Sequence, residues 1–171
     1  GLESRFTRFI HFSDYYVSDL CRIFGGMARN NSYKLTTEAR GNLALLFNRA
    51  FQLKQPNFGN ARFVRNLYEQ TLGNHADRLS AHAGTVSREM LMTIEAVDLP
   101  FGVVKGCPGP FDLSASRWRG SCPECQKEAA GSLKLLGQTV RCKCGTVFEY
   151  PWWNARAESL PATSQYKDLS R

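Results

Sequence analysis

Two groups of residues have types and spacings that can do chemistry. The first is "CPECQKEAAGSLKLLGQTVRCKCG", in which Cys122-x2-Cys125 is followed, after sixteen residues, by Cys142-x-Cys144. Two thiolate pairs on turns, joined by a hairpin, supply the four soft ligands that a tetrahedral Zn2+ takes. An all-cysteine set leaves no open position on the metal, so its role is expected to be structural. Iron accepts the same four thiolates, and zinc is the default. The second pair is C-x-C where C-x-x-C is usual, which tightens that turn. Of the other two cysteines, Cys21 lies beside an apolar stripe, and Cys107 in "GCPGP" stands alone.

The second group is in "NFGNARFVRNLYE". Arg62 and Arg65 stand three residues apart, just after a Gly-Asn turn and at the start of an amphipathic run. They share a helical face near the N-terminus, where the macrodipole favours anions and repels cations. Arg65 also stands four residues before Glu69, with which it can pair. No G-x-x-x-x-G-K-[ST] phosphate-binding loop occurs, and "GGMARNN" is no substitute. His75 and His82 lack neighbouring ligands and read as surface or core residues.

The elements that must hold these groups follow from periodicity. Leu20, Ile23, Phe24 and Met27 mark a helix after Ser18, stopped at Asn30-Asn31. Thr36 caps a second helix with Leu43, Leu46, Phe47, Ala50 and Phe51 on one face. "KQPNFGN" breaks it. A third helix is expected from about Asn60 to His82, with Val64, Tyr68, Leu72, Ala76 and Leu79 as its stripe. Ser87 caps a short fourth through Met90, Leu91 and Ile94. The alternation of Phe6, Phe9, Ile10 and Phe12 reads as a short strand. The Gly- and Pro-containing stretch 101–120 reads as a linker or irregular arm. "QTVRC" and "TVFEYPWW" have a short β pattern.

The 171 residues suffice for one ordinary domain or two small ones. The formal charge of +7 is spread over both halves with no run of like charges, which argues against a nucleic-acid tail. No apolar run approaches the ~20 residues of a membrane span. The first twenty residues hold no signal-peptide core. Clustered cysteines favour a reducing compartment, so the expected location is the cytoplasm. The chain starts at Gly1 rather than Met and is expected to be a piece of a longer protein.

The stretches "GLESRF", "IHFSDYYVSDLCRIFGGMARNNSYKLTTEA" and "FGNARFVRNLYEQTLGNHADRL" resemble the end of the ATPase core plus the lid of AAA+ ATPases. The nearest group is the CbxX/CfqX type, which includes red-type rubisco activase and the sporulation stage V protein K group. The resemblance covers roughly the first 100 residues. It implies that the nucleotide-binding core, with ATP and Mg2+, lies upstream of Gly1, and that this chain alone is inactive. It implies that Arg62 in "GNAR" is the sensor 2 arginine that reaches the phosphates. It implies that Arg5 in "SRF" is the arginine finger, acting in trans on a neighbouring subunit's nucleotide in a homo-hexamer. Arg65 either assists Arg62 or pairs with Glu69. Residues 121–153 resemble a bacterial zinc ribbon, with Cys122, Cys125, Cys142 and Cys144 as ligands.

The expected fold class is thus mainly α: a small helical-bundle AAA+ lid followed by a four-cysteine zinc ribbon of short β-hairpins. The expected divisions are 1–16, the end of the core; 17–100, the lid; 101–120, a linker; 121–153, the ribbon; and 154–171, a polar tail. The expected activity of the whole protein is ATP-driven remodelling of a protein client. The ribbon braces the chain or docks a partner through Trp118, Trp152, Trp153, Tyr150 and Phe148 interleaved with cations; the modest charge favours protein over nucleic acid. The alternative is a stand-alone binding module, for protein or nucleic acid, without nucleotide chemistry.

Overall fold

The computed structural model describes residues 13–53 and 59–159. The strand-like pattern at Phe6–Phe12, the Pro56 break and the end of the polar tail lie outside the described residues.

The first helix, α1 (Val17–Asn30), starts one residue before Ser18. Tyr16 is its cap, and the Tyr16 backbone N–H donates to the Asp19 carboxylate at 3.2 Å. Leu20, Cys21, Phe24 and Ala28 are buried on one face, at the spacing that faces a helix toward a core. After a two-residue strand, β1 (Lys34–Leu35), α2 (Thr37–Gln52) opens with the Ala39 N–H donating to Thr36 Oγ1 at 3.1 Å. α2 buries eight residues along its length, from Ala39 to Ala50. α3 (Asn60–Ser80) packs on α1 and buries Val64, Leu67, Tyr68, Thr71 and His75. Phe24 is the hub: its ring meets Phe47 of α2 at 6.2 Å and Tyr68 of α3 at 5.3 Å, both edge-on.

The fourth helix, α4 (Arg88–Leu91), is a single turn capped by Ser87. Ile94, expected at its end, belongs instead to β2 (Thr93–Ile94), which pairs in parallel with β1. Leu35 and Ile94 are register partners and both buried, so burial at period two overrides the helical spacing.

Residues 101–120 are not an open linker. Phe101, Val104, Cys107, Leu113 and Trp118 from this stretch are buried in the same cluster as the helices. Asn42, buried in α2, ties the arm down by accepting from the Phe111 N–H at 2.7 Å while donating to Glu38 O. The stretch ends in β3 (Arg117–Ser121), the centre of a three-stranded antiparallel sheet, with β4 (Glu128–Ser132) on one side and β7 (Arg156–Ser159) on the other. A separate hairpin pairs β5 (Thr139–Arg141) with β6 (Val147–Glu149). β7 draws residues 156–159 of the expected polar tail into the sheet.

The helices and the sheets share one core. Trp118 is fully buried, and its indole N–H donates to Ser116 Oγ at 2.8 Å. A Cβ on Gly41 of α2 would stand 3.2 Å from the Trp118 ring, and one on Gly25 of α1 would stand 3.0 Å from Trp152. Glycines on two helices thus admit two indoles from the β region. Arg40 of α2 adds a polar tie, donating to Leu136 O at 2.9 Å.

Candidate functional site

The four cysteines of the two pairs come together. Their sulfurs all lie within 4.8 Å of one another, with Cys122 and Cys144 at 3.8 Å and Cys125 and Cys142 at 3.6 Å. A tetrahedron with ~2.3 Å Zn–S bonds has sulfur–sulfur edges of about 3.8 Å, so the donor set fits a four-coordinate zinc-sized ion. Each pair sits on a turn that links or leaves strands. In the first, the Cys122 N–H donates to Lys127 O and the Gln126 N–H to Cys122 O, both at 3.0 Å. In the second, the Cys142 N–H donates to Thr146 O at 2.8 Å and the Gly145 N–H to Cys142 O at 2.9 Å.

The C-x-C spacing therefore closes. In both turns the residue just after the second cysteine is left-handed, Gln126 at φ 57° and Gly145 at φ 96°. The missing residue shortens the second hairpin without removing the reversal that aims its sulfurs. Glycine meets the larger positive φ at no steric cost; Gln126 accepts some strain.

The thiols differ in acidity. The Thr146 hydroxyl and backbone N–H, with Cys142, hold Cys144 down at about 6. At Cys125 the Lys127 N–H acts to lower the value, but burial and bonds to Cys142, Cys144 and Cys122 together push it up to about 11. Sulfurs this close share protons until a cation replaces them. Cys21 and Cys107 lie elsewhere, both buried in the core, and burial pushes the Cys21 thiol up.

The arginines lie at another place. Arg62 is exposed in the first turn of α3, and that turn contains no acidic residue. Among the described residues no ion pair involves it. Arg65 lies 3.9 Å from Glu69, with both side chains about two-thirds or more exposed, so this pair contributes a few tenths of a kcal/mol at most. Arg5 lies outside the described residues.

Sequence patterns gave no hint of a third cluster. His75 is buried, with Nδ1 3.3 Å from the Asp98 carboxylate and Nε2 3.1 Å from Leu91 O. Arg78 donates through Nε to Asp98 Oδ1 at 2.6 Å and through Nη2 to Oδ2 at 3.0 Å. Arg78 also pairs with Glu95 at 3.0 Å. This network bolts α3 to residues 93–98. Its only local mark is His75 and Arg78 at i, i+3; Asp98 lies twenty residues further on, too far for any spacing rule.

The aromatics of the expected docking patch are largely spent on packing. Trp118, Tyr150 and Trp152 are buried, and the Tyr150 hydroxyl donates within reach of both Ala129 O (2.7 Å) and Trp118 O (3.0 Å). They cannot stack bases. Trp153 and Phe148 remain partly accessible.

Comparison with known proteins agrees with this architecture. The family described as AAA lid domain matches residues 17–105, just over half the chain. The chain belongs to the AAA lid domain family. It is 37% identical over 100 residues to Protein CbxX (plasmid) of Cupriavidus necator, 35% to the CfxQ homolog of Trieres chinensis, and 33% to the chloroplastic ribulose bisphosphate carboxylase/oxygenase activase of Cyanidioschyzon merolae. Each match covers 58% of this chain and 31%, 34% and 33% of the relative, so the chain spans about a third of the length of these relatives. No helix among the described residues is long and apolar enough to cross a membrane.

Proposed function

We propose that this chain is the C-terminal part of an AAA+ ATPase, in which Arg62 is the sensor 2 residue that contacts bound ATP and Arg5 is the finger reaching a neighbouring subunit's nucleotide. One observation carries the reading for Arg62: a guanidinium stands exposed in the first turn of a 21-residue helix, with no acid in that turn to balance it. The exposed N–H groups of that turn and the cation together favour an anion. A polyphosphate held by a preceding core domain satisfies both. The core would supply Mg2+ and the grip on the β- and γ-phosphates. The assembly would be a homo-hexamer, and its work the remodelling of a protein client.

In this reading Cys122, Cys125, Cys142 and Cys144 hold a Zn2+ that stabilises the ribbon and does no chemistry on substrate. The ribbon's part is to brace the lid and contact protein; the modest, evenly spread charge supports protein over nucleic acid. We read 1–16, 17–100, 121–153 and 154–171 as functional divisions of the chain.

The test is ATP turnover by the full-length protein. Arg62→Ala and Arg5→Ala should each lower it by about 10²–10³-fold, the scale of losing one positioned transition-state donor. Turnover within about twofold of the parent in the Arg62 variant would refute the assignment.

A further inference from the structure

A groove of about 560 Å³ opens between β4 and the β5–β6 hairpin. That is room for one or two side chains of a ligand and the backbone that carries them. Its floor is apolar. Val140 and Phe148 are register partners across the hairpin and both line it, with Leu135 and Tyr150. The floor is also fixed in advance. Tyr150 is 3% exposed, its hydroxyl lies within reach of Ala129 O and Trp118 O, and its backbone N–H donates to Gln138 O at 2.8 Å. Leu135 and Val140 pack on the buried cluster, whereas Phe148 stays outside it and is partly accessible. A partly accessible aromatic over a rigid apolar floor is a ready contact for an incoming side chain.

The lining residues with charge are mostly cations. Lys127, Arg141 and Lys143 are exposed, and among the described residues no ion pair involves them. The acid beside them, Glu128, is paired with Arg119 at 3.4 Å. One wall is an edge strand: β4 is paired with β3 on one side only, and its Ala129 and Ala130 are small and exposed. An extended chain meets no bulky side chain there as it approaches the strand.

We propose that this groove binds an acidic peptide segment of a partner protein, with an aliphatic or aromatic side chain entering against Val140 and Phe148 and carboxylates on either side meeting Lys127, Arg141 and Lys143. The inference rests on, and sharpens, the reading of the ribbon as a contact for protein. Charge complementarity selects the occupant. Four thiolates exceed a bound divalent ion by two charges, and the three cations exceed that in turn, so a basic segment is repelled and an acidic one attracted. Nucleic acid fits less well. It needs a track of cations and several stacking faces, and of the two aromatics in the lining Tyr150 is buried.

The experiment titrates the zinc-loaded full-length protein into a fluorescein-labelled peptide with leucine at its centre and glutamates on both sides, read by anisotropy. Binding should be at least about tenfold tighter than for the same peptide with serine at the centre, the scale of burying one leucine side chain, and tighter again than with lysines as the flanks. Amide-exchange protection on binding should fall on residues 127–130 and 139–148. Replacing both Lys127→Gln and Lys143→Gln should weaken binding at least about fivefold with zinc content and melting temperature unchanged. Ala129→Trp, which fills the groove from an exposed strand position, should abolish it; if that variant does not fold, the glutamine variant still decides. No binding, equal binding of the three peptides, protection elsewhere, or unaltered affinity in the glutamine variant would overturn the inference. A single-stranded RNA that binds more tightly than the leucine peptide and protects the same residues would overturn the protein-contact reading itself. Failure of the peptides without RNA binding overturns the groove alone.

Discussion

Gly41 and Gly73 are both glycines inside helices, yet they sit in opposite surroundings. An added Cβ on Gly41 would stand 2.6 Å from Leu113, 2.9 Å from Leu133 and 3.2 Å from Trp118; one on Gly73 would meet nothing within 4 Å. Alanine gains roughly 1 kcal/mol over glycine in an exposed helix, whereas overpacking costs about 1–3 kcal/mol. Gly73→Ala should therefore raise the melting temperature and Gly41→Ala should lower it, a pair of opposite shifts readable by calorimetry. Asp98 is the other residue on which much depends. It is 1% exposed and accepts from Arg78, from the Glu95 N–H at 2.8 Å, and lies against His75. Asp98→Ala strands those donors. Since Arg78 is partly solvated, the loss should be about 2–3 kcal/mol rather than the larger figure for a fully buried pair, measurable by urea unfolding.

At the scale of elements, the three long helices and the paired cysteines were legible because each carries a local signature: a 3.6-residue stripe, a cap, a pair of close thiols. The boundaries moved where chemistry close to the ends decided them. Tyr16 and Asp19 start α1 rather than Ser18, and α3 ends at Ser80 rather than His82. Residues 101–120, expected as a linker or irregular arm, pack as an arm against the helices, because scattered anchors lie among its glycines and prolines. Phe101, Val104, Leu113 and Trp118 follow no single period, yet all are buried in the common cluster. The cysteine turns carry their own prediction. Metal binding displaces thiol protons, so retention of zinc should weaken as pH falls, and chelation at neutral pH should melt the β5–β6 hairpin. Retained hairpin structure in the chelated, metal-free protein, read by amide exchange, would count against a metal-dependent ribbon.

At the scale of the molecule, lid and ribbon should behave as one. Trp118, Leu136, Tyr150 and Trp152 belong to the same buried cluster as Phe24, Leu43 and Phe47. Heating should therefore produce a single calorimetric transition with matching van't Hoff and calorimetric enthalpies, and metal removal should destabilise the helices as well as the hairpins. Two separated transitions would contradict the common core. None of this unity could be read from the chain, since long-range burial leaves no local period in the residues that provide it.

Gly25 and Gly41 leave notches in the helical surface, the first filled by the Trp152 indole and the second by Leu113, Leu133 and the Trp118 indole. A lid that lacks the β region has no use for such notches, and larger side chains there would strengthen its helices. Relatives that carry the four-cysteine segment should thus keep the smallest residue at both places, and relatives without it should not. Two positions far from any cysteine would then tell, in an unfamiliar sequence, whether its lid was shaped to carry this burden.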